Sequence, residues 1–267
     1  MVSLAFLSID PVIFHIYGPI AVRWYGMAYT LGIIISAWYI KYLNYKSSHL
    51  PLKGKVVEDM LSYAAAGIII GGRLGYVLFY NISYYILHPI EIIKIWQGGM
   101  SFHGGLIGLV IGIYFLCKKY QLNFLALTDL IACAAPIGLF FGRIANFING
   151  ELIGRKTEMA WGIIFPNSDG KIRHPSQLYE AFLEGFMLFF IMFFLRKSTQ
   201  VVKNRGILSA LFLILYGVFR SIVEFFREPD YHIGFIAKYF TTGQILCIPF
   251  ILVGVLLIYR LKERQTP

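Results

Sequence analysis

The chain has 267 residues, of which 58% are hydrophobic and only 14% charged, and its mean hydropathy is +0.67. These values exclude an ordinary soluble domain, in which about a quarter of the residues are charged. The formal net charge of +10 calls for no nucleic acid, because the basic residues fall in the connections between apolar stretches, where membrane topology accounts for them.

The first 18 residues contain no Lys or Arg, and no small-residue cleavage site follows a short apolar core. The first apolar stretch is therefore expected to stay in the protein and not to be removed as a signal peptide. A helix of about 20 apolar residues crosses a hydrocarbon core of roughly 30 Å, and only helices or closed barrels satisfy their backbone groups in lipid. Stretches near 20–41, 57–80, 100–117, 125–148, 177–195, 206–226 and 240–259 predict seven transmembrane helices. The expected fold is an all-α integral membrane protein, with residues 1–267 forming a single polytopic domain. Alternate connections hold 13 and 7 Lys and Arg residues. The positive-inside rule places the richer set in the cytoplasm, with the N-terminus outside and the C-terminus inside.

Taken in chain order, the polar residues inside these spans carry the functional signal. Arg23 opens the first span, where it can snorkel to the interface. Trp24, Tyr25, Tyr84, Tyr85 and Trp96 suit an outer aromatic belt. The second span has Gly67, Gly71 and Gly75, and the third has Gly104, Gly108 and Gly112, two small-residue stripes that let helix backbones approach. Arg73, Tyr76 and Tyr80 share one face of the second span. His103 opens the third span between two pairs of glycines, and Arg143 nears the end of the fourth. Glu180 and Glu184 begin the fifth span, where they suit the helix dipole, with Ser176 as N-cap. Arg220, Glu224 and Arg227 follow at i, i+4 and i+7 on the sixth.

With the topology above, Arg73, Arg143 and Arg220 lie roughly 21–27 Å beyond the cytoplasmic starts of their helices, at about 1.5 Å per residue. They share the outer half with Arg23, His103 and the glutamates. Arginine at membrane depth costs a few kcal/mol or more unless it is paired or wetted, so it marks a functional site. Arg23, Arg73, Arg143 and Arg220 outnumber Glu180, Glu184 and Glu224, which leaves positive charge for an anionic ligand. The three cysteines, Cys117, Cys133 and Cys247, have no metal-site or disulfide spacing and are expected to pack in the interior. No cofactor or metal is expected. From these residues alone an enzyme, an anion transporter and a noncatalytic lipid-binding scaffold all remain open.

The densest polar segment is GRIANFINGELIG, Gly142 to Gly154. A guanidinium, two amides, a carboxylate and several glycines crowd the end of a transmembrane helix. The pattern resembles the signature of the prolipoprotein diacylglyceryl transferases. The resemblance continues through Arg23–Gly26, Gly71–Tyr76, Gly98–Gly105, Arg173–Glu180 and Phe219–Asp230. It implies a seven-helix enzyme of the bacterial cytoplasmic (inner) membrane, with its active site toward the outer leaflet. Such an enzyme moves the diacylglyceryl group of phosphatidylglycerol to the lipobox cysteine of a preprolipoprotein, forming a thioether and releasing glycerol phosphate. Its partners are then that lipid, the preprolipoprotein and the bilayer. The resemblance carries functional weight onto Tyr25, Arg73, His103, Arg143, Asn146, Asn149, Glu151, Gly154, Arg220, Glu224 and Arg227.

Chemistry sorts these residues. Guanidinium groups suit phosphate oxygens, which gives Arg143 and Arg220 the departing phosphate. An imidazole suits proton transfer near neutral pH, which makes His103 the expected base for the thiol. Glu151, placed with these three, is expected to orient Asn146 and Asn149. Tyr25, Arg73, Tyr76, Tyr80, Asn146, Asn149, Gly154, Glu224 and Arg227 are expected to bind substrate. One departure from the pattern is the short segment 163–173 between Trp161-Gly162 and His174, which bears on any enlarged outer head.

Overall fold

The computed structural model describes residues 4–5, 10–17, 20–45, 52, 54–166, 168–229, 235–236 and 240–263. Lys46, Lys53, Lys238 and Arg264 of the charge count, and Asp230 of the last motif, lie outside the described residues.

In chain order the elements are strands β1 (Leu4–Ala5), β2 (Val12–Tyr17) and β3 (Ile20–Arg23), then helices α1 (Trp24–Tyr45), α2 (Gly54–Tyr80), α3 (Ile82–Leu87), α4 (Phe102–Tyr120) and α5 (Phe124–Ile148). Strands β4 (Ile163–Ile164) and β5 (Ile172–Arg173) follow, then α6 (Ser176–Glu180), a π-helical turn (Ala181–Met187) and α7 (Leu188–Lys197). The chain continues with α8 (Thr199–Lys203), α9 (Ile207–Val223), β6 (Phe235–Ile236), β7 (Phe240–Thr241) and α10 (Thr242–Glu263). The molecule is mostly helical. Among the described residues, four helical stretches are long and apolar enough to cross a membrane: Lys55–Tyr80, Phe124–Ile148, Ser176–Lys197 and Thr242–Glu263.

The strands correct the purely helical expectation. Residues 20–23, assigned from sequence to the first span, pair as β3 with β2, Val12 opposite Arg23 and Tyr17 opposite Ile20. Both runs, VIFHIY and IAVR, are rich in β-branched and aromatic residues, which favour a pleated backbone.

Two compact units form, one from residues 41–127 and one from residues 1–40 with 128–267. In the first, α2 and α4 pack along their glycine stripes. A Cβ on Gly71 would lie 2.7 Å from the Cα of Gly108, and one on Gly75 would lie 2.8 Å from the Cα of Gly104. No side chain fits there, so both helices need glycine to approach this closely. Ser101 caps α4, its Oγ accepting from the amide of Gly104 at 3.2 Å. Lys118 and Lys119 close the same helix, where its dipole favours cations.

In the second unit Gly185 of the π turn rests on Phe140 of α5, and Gly217 of α9 rests on Ile251 of α10. Asp129, a buried carboxylate in α5, solves a local problem. Gly206 precedes α9 without a capping side chain. The Asp129 carboxylate instead accepts from the amides of Gly206 and Ser209, each at 2.7 Å, and from the Ser209 hydroxyl. Orphan amides at a helix start need such acceptors. Cys117, Cys133 and Cys247 are buried free thiols, as expected from their spacing.

Candidate functional site

In the unit that contains α5, α6, α9 and α10, three arginines and three glutamates gather. Arg143 of α5 meets Glu180 at 3.0 Å through Nε and Glu184 at 3.5 Å through Nη2. Arg220 of α9 binds Glu180 and Glu224 through its two Nη groups, and its Nη1 lies 3.6 Å from Glu184. Arg227 approaches Glu180 at 3.1 Å and Glu224 at 3.9 Å. Thr241 donates its hydroxyl to Glu224 at 2.7 Å.

The two kinds of charge are placed differently. The side chains of Glu180 and Glu184 are 0% exposed and that of Glu224 4%, whereas Arg143, Arg220 and Arg227 keep 18%, 12% and 13%. The carboxylates are enclosed, and the arginine side chains keep the little exposure that the cluster has. Among the described residues, Nη1 of Arg143 and Nε of Arg220 take no part in these pairs. Buried carboxylates thus hold the arginines in fixed orientations while leaving donor positions unused, a preorganised arrangement for an anion.

This geometry revises two sequence expectations. Of the two roles the sequence left to Glu180 and Glu184, the helix dipole gives way to the other: they are the counter-ions of Arg143 and Arg220. Ser176 was expected as N-cap, yet Pro175 occupies that position without a side-chain bond, and the Ser176 hydroxyl donates to the carbonyl of Leu152 at 3.0 Å. The three arginines and three glutamates that pair directly are also equal in number, and Arg155 borders them, donating to the carbonyls of Arg227 at 2.8 Å and Glu224 at 3.1 Å. The expected site residues did not include these two glutamates, although carboxylates at i and i+4 inside an otherwise apolar span were a signal for them. The π turn that carries Glu184 is a form often found at functional sites.

A second set of polar groups gathers around the end of α5. Glu151 accepts from the amide of Asn146 at 2.8 Å and from that of Asn149 at 3.5 Å. Its own backbone carbonyl accepts from Gln177 of α6 at 2.5 Å. Tyr25 contacts Tyr29 at 3.2 Å between hydroxyls and interacts with Asn146. Gln177 and Glu180 share α6, which ties this amide set to the arginine cluster. Glu151 holds the two amides, as its place in the motif suggested.

Gly154 completes this unit through its backbone. It pairs with Arg227 in an antiparallel bridge, and its amide donates to the carbonyl of His174 at 3.0 Å. A Cβ on Gly154 would lie 2.7 Å from both the Cβ of His174 and the carbonyl oxygen of Phe226, so any side chain there would push Arg227 out of place. Arg173 clamps the same loop, donating to the carbonyl of Gly154 at 3.0 Å, to Glu228 at 3.0 Å and to Asp169 at 3.1 Å. The Arg173 guanidinium holds the Asp169 carboxyl down to about 2. Being depressed, this group keeps its stabilising charge above the ordinary carboxylate range and loses it only as pH falls through about 2.

Arg73, Tyr76, Tyr80 and His103 belong to the other unit. The Arg73 guanidinium donates to the carbonyls of Ile92 at 2.8 Å, Glu91 at 2.7 Å, Gly98 at 2.5 Å and Gly99 at 3.2 Å. It also lies 5.1 Å from the ring centre of Tyr85. Arg73 therefore ties down the segment between α3 and α4. Tyr85, expected in an interfacial belt, is instead buried beneath that guanidinium. Tyr76 stacks on Tyr80 at 5.6 Å between ring centres. His103 stands two residues beyond the Ser101 cap at the start of α4, half-buried. Arg23, at the end of β3, is exposed, in keeping with an interfacial position.

Comparison with known proteins bears on this arrangement. Residues 11–260 match the family model described as prolipoprotein diacylglyceryl transferase. A Rickettsia akari protein is 52% identical over 96% of this chain and 98% of its own length. Proteins of Rickettsia bellii and Rickettsia canadensis are 51% and 52% identical, covering 98% and 94% of this chain and 99% and 96% of theirs. All three are named phosphatidylglycerol–prolipoprotein diacylglyceryl transferase.

Proposed function

The chain belongs to the prolipoprotein diacylglyceryl transferase family, and from that premise we propose how its residues serve the reaction. It is a membrane enzyme that transfers the diacylglyceryl group of phosphatidylglycerol to the lipobox cysteine thiol of a preprolipoprotein. Sulfur attacks the glycerol carbon, a C–S bond forms, and the C–O bond to phosphate breaks. Glycerol phosphate leaves with the electron pair.

In this proposal the chain crosses the bacterial inner membrane seven times, with its C-terminus inside and its chemistry toward the outer leaflet. The bias of basic residues toward alternate connections supports that orientation. The phosphodiester sits at the arginine cluster. Arg143 and Arg220 bind its oxygens and stabilise the charge that grows on the leaving phosphate, an effect that fixed donors in a low-dielectric site deliver without reorganisation. Glu224 and Arg227 complete the cluster, and Gly154 sets the backbone of Arg227.

Asn146 and Asn149, oriented by Glu151 and joined by Tyr25, face the neutral part of the lipid. Arg73 supports the segment before α4, and Tyr76 and Tyr80 present rings to the acyl chains. His103 accepts the thiol proton. A thiol of ordinary pKa near about 8.5 is mostly protonated at neutral pH, and only the thiolate attacks well.

The observation that carries this reading is the convergence of three arginine side chains from separate segments on three buried carboxylates. Purified protein is tested with phosphatidylglycerol and a lipobox peptide, with mass spectrometry reporting diacylglyceryl addition at the cysteine. Arg143→Ala and Arg220→Ala each reduce turnover by about 10²-fold or more, the size expected for one lost preorganised donor. Turnover at the wild-type level in either variant, with the fold intact, rules out the assignment.

A further inference from the structure

The proposed phosphodiester position has an electrostatic consequence, and Glu184 is where it falls. The three arginines and three glutamates that pair directly are already balanced, so a phosphodiester adds a negative charge that these pairs do not offset, with Arg155 engaged at the border by the carbonyls of Arg227 and Glu224. A buried charge without a partner is costly, and a titratable group nearby takes up a proton instead.

Glu184 differs from its two neighbours. Glu180 accepts hydrogen bonds from Arg220 and Arg227, and Glu224 accepts them from Arg220 and Thr241. Glu184 has a fully buried side chain, and among the described residues neither of its oxygens has a hydrogen-bond partner. Its ion pairs are longer, 3.5 Å to Arg143 and 3.6 Å to Arg220. The groups around it are Arg143 from α5, Tyr216 and Arg220 from α9, Arg227 beyond α9, Cys247 from α10, and Glu180 one turn earlier on its own strand of helix. Of the three carboxylates it is the one held least.

We propose that Glu184 takes up one proton when the anionic headgroup binds. The protonated carboxyl releases its share of Arg143 and Arg220, whose donors then turn to the phosphate. When glycerol phosphate departs, Glu184 returns the proton to solvent and resumes its place as counter-ion. Glu184 is thus a positioning residue that acts through the arginines. The inference rests on the phosphodiester site proposed above.

The test is binding of short-chain phosphatidylglycerol in detergent micelles, without peptide, so that thiol ionisation plays no part. One linked proton makes the wild-type affinity fall by up to about tenfold per pH unit as pH rises. Calorimetry in buffers of different ionisation enthalpy then records close to one proton taken up per lipid. Glu184→Gln, which carries the neutral form permanently, binds with an affinity independent of pH, whereas the exposed Glu158→Gln, outside the cluster, keeps the slope. An infrared difference spectrum of wild type gains a protonated-carboxyl band on lipid addition, which separates a carboxyl from a histidine even if the glutamine variant fails to fold. Wild-type binding without proton uptake, a retained slope in Glu184→Gln, or no carboxyl band would overturn the inference. Diacylglyceryl transfer by wild type, measured alongside, tells that failure apart from failure of the functional reading.

Discussion

Glu180→Gln removes the hub of the charge cluster while preserving its shape. The carboxylate meets Arg143 at 3.0 Å, Arg227 at 3.1 Å and Arg220, and its side chain is fully buried. At about 4 Å and an effective dielectric near 20, each unit pair is worth roughly 4 kcal/mol. Three such pairs give a gross loss of about 12 kcal/mol, offset by the several kcal/mol no longer needed to desolvate the carboxylate. Three arginines then face two carboxylates, and the net loss is about 3–5 kcal/mol, typical of breaking one side of a buried pair. That is a large part of the ~5–15 kcal/mol that holds a folded protein together. At roughly 2–4 °C per kcal/mol, the unfolding midpoint falls by about 6–20 °C. Thermal unfolding in detergent, followed by tryptophan fluorescence, reads the shift, with the exposed Glu158→Gln as control. A fall of less than about 2 °C would mean that Glu180 does not organise the arginines, and the cluster argument would fail with it.

Two further outcomes follow from the other unit. His103→Gln lowers turnover at neutral pH and recovers it as pH rises toward the ordinary thiol range near about 8.5, where the nucleophile ionises unaided; a flat profile removes the histidine from the base role. Gly71→Ala puts a methyl 2.7 Å from the Cα of Gly108, which costs about 1–3 kcal/mol by overpacking. Its unfolding midpoint falls, whereas Gly26→Ala, with nothing within 4 Å of the added atom, leaves it unchanged.

Much of this protein is legible in its sequence, because in a bilayer the rules are few. Hydrocarbon demands apolar helices of a set length, which placed α2, α5 and α10 within a few residues. Close helix approach demands small side chains, which marked the glycine stripes of α2 and α4 as contact faces, while the fold showed that they face each other. The crowding of Arg143, Asn146, Asn149, Glu151 and Gly154 pointed to a site, since no plain helix end needs that many polar groups. Short strands escaped this reading because a few β-branched residues beside a long apolar run look like more of the same helix.

What the sequence could not decide was partnership. Arg73 and Arg143 look alike in one dimension, both guanidinium groups deep in apolar spans. In the fold Arg73 turns to four backbone carbonyls of a neighbouring segment, while Arg143 meets two glutamates about 40 residues away. Counting the charges of the outer half promised a surplus of positive charge, and only the tertiary arrangement showed which arginines and glutamates pair. Hydropathy fixes how deep a residue lies and in which segment, because burial follows from local composition. Which charge cancels which depends on distances of 3–4 Å between separate helices, and those are set by packing alone.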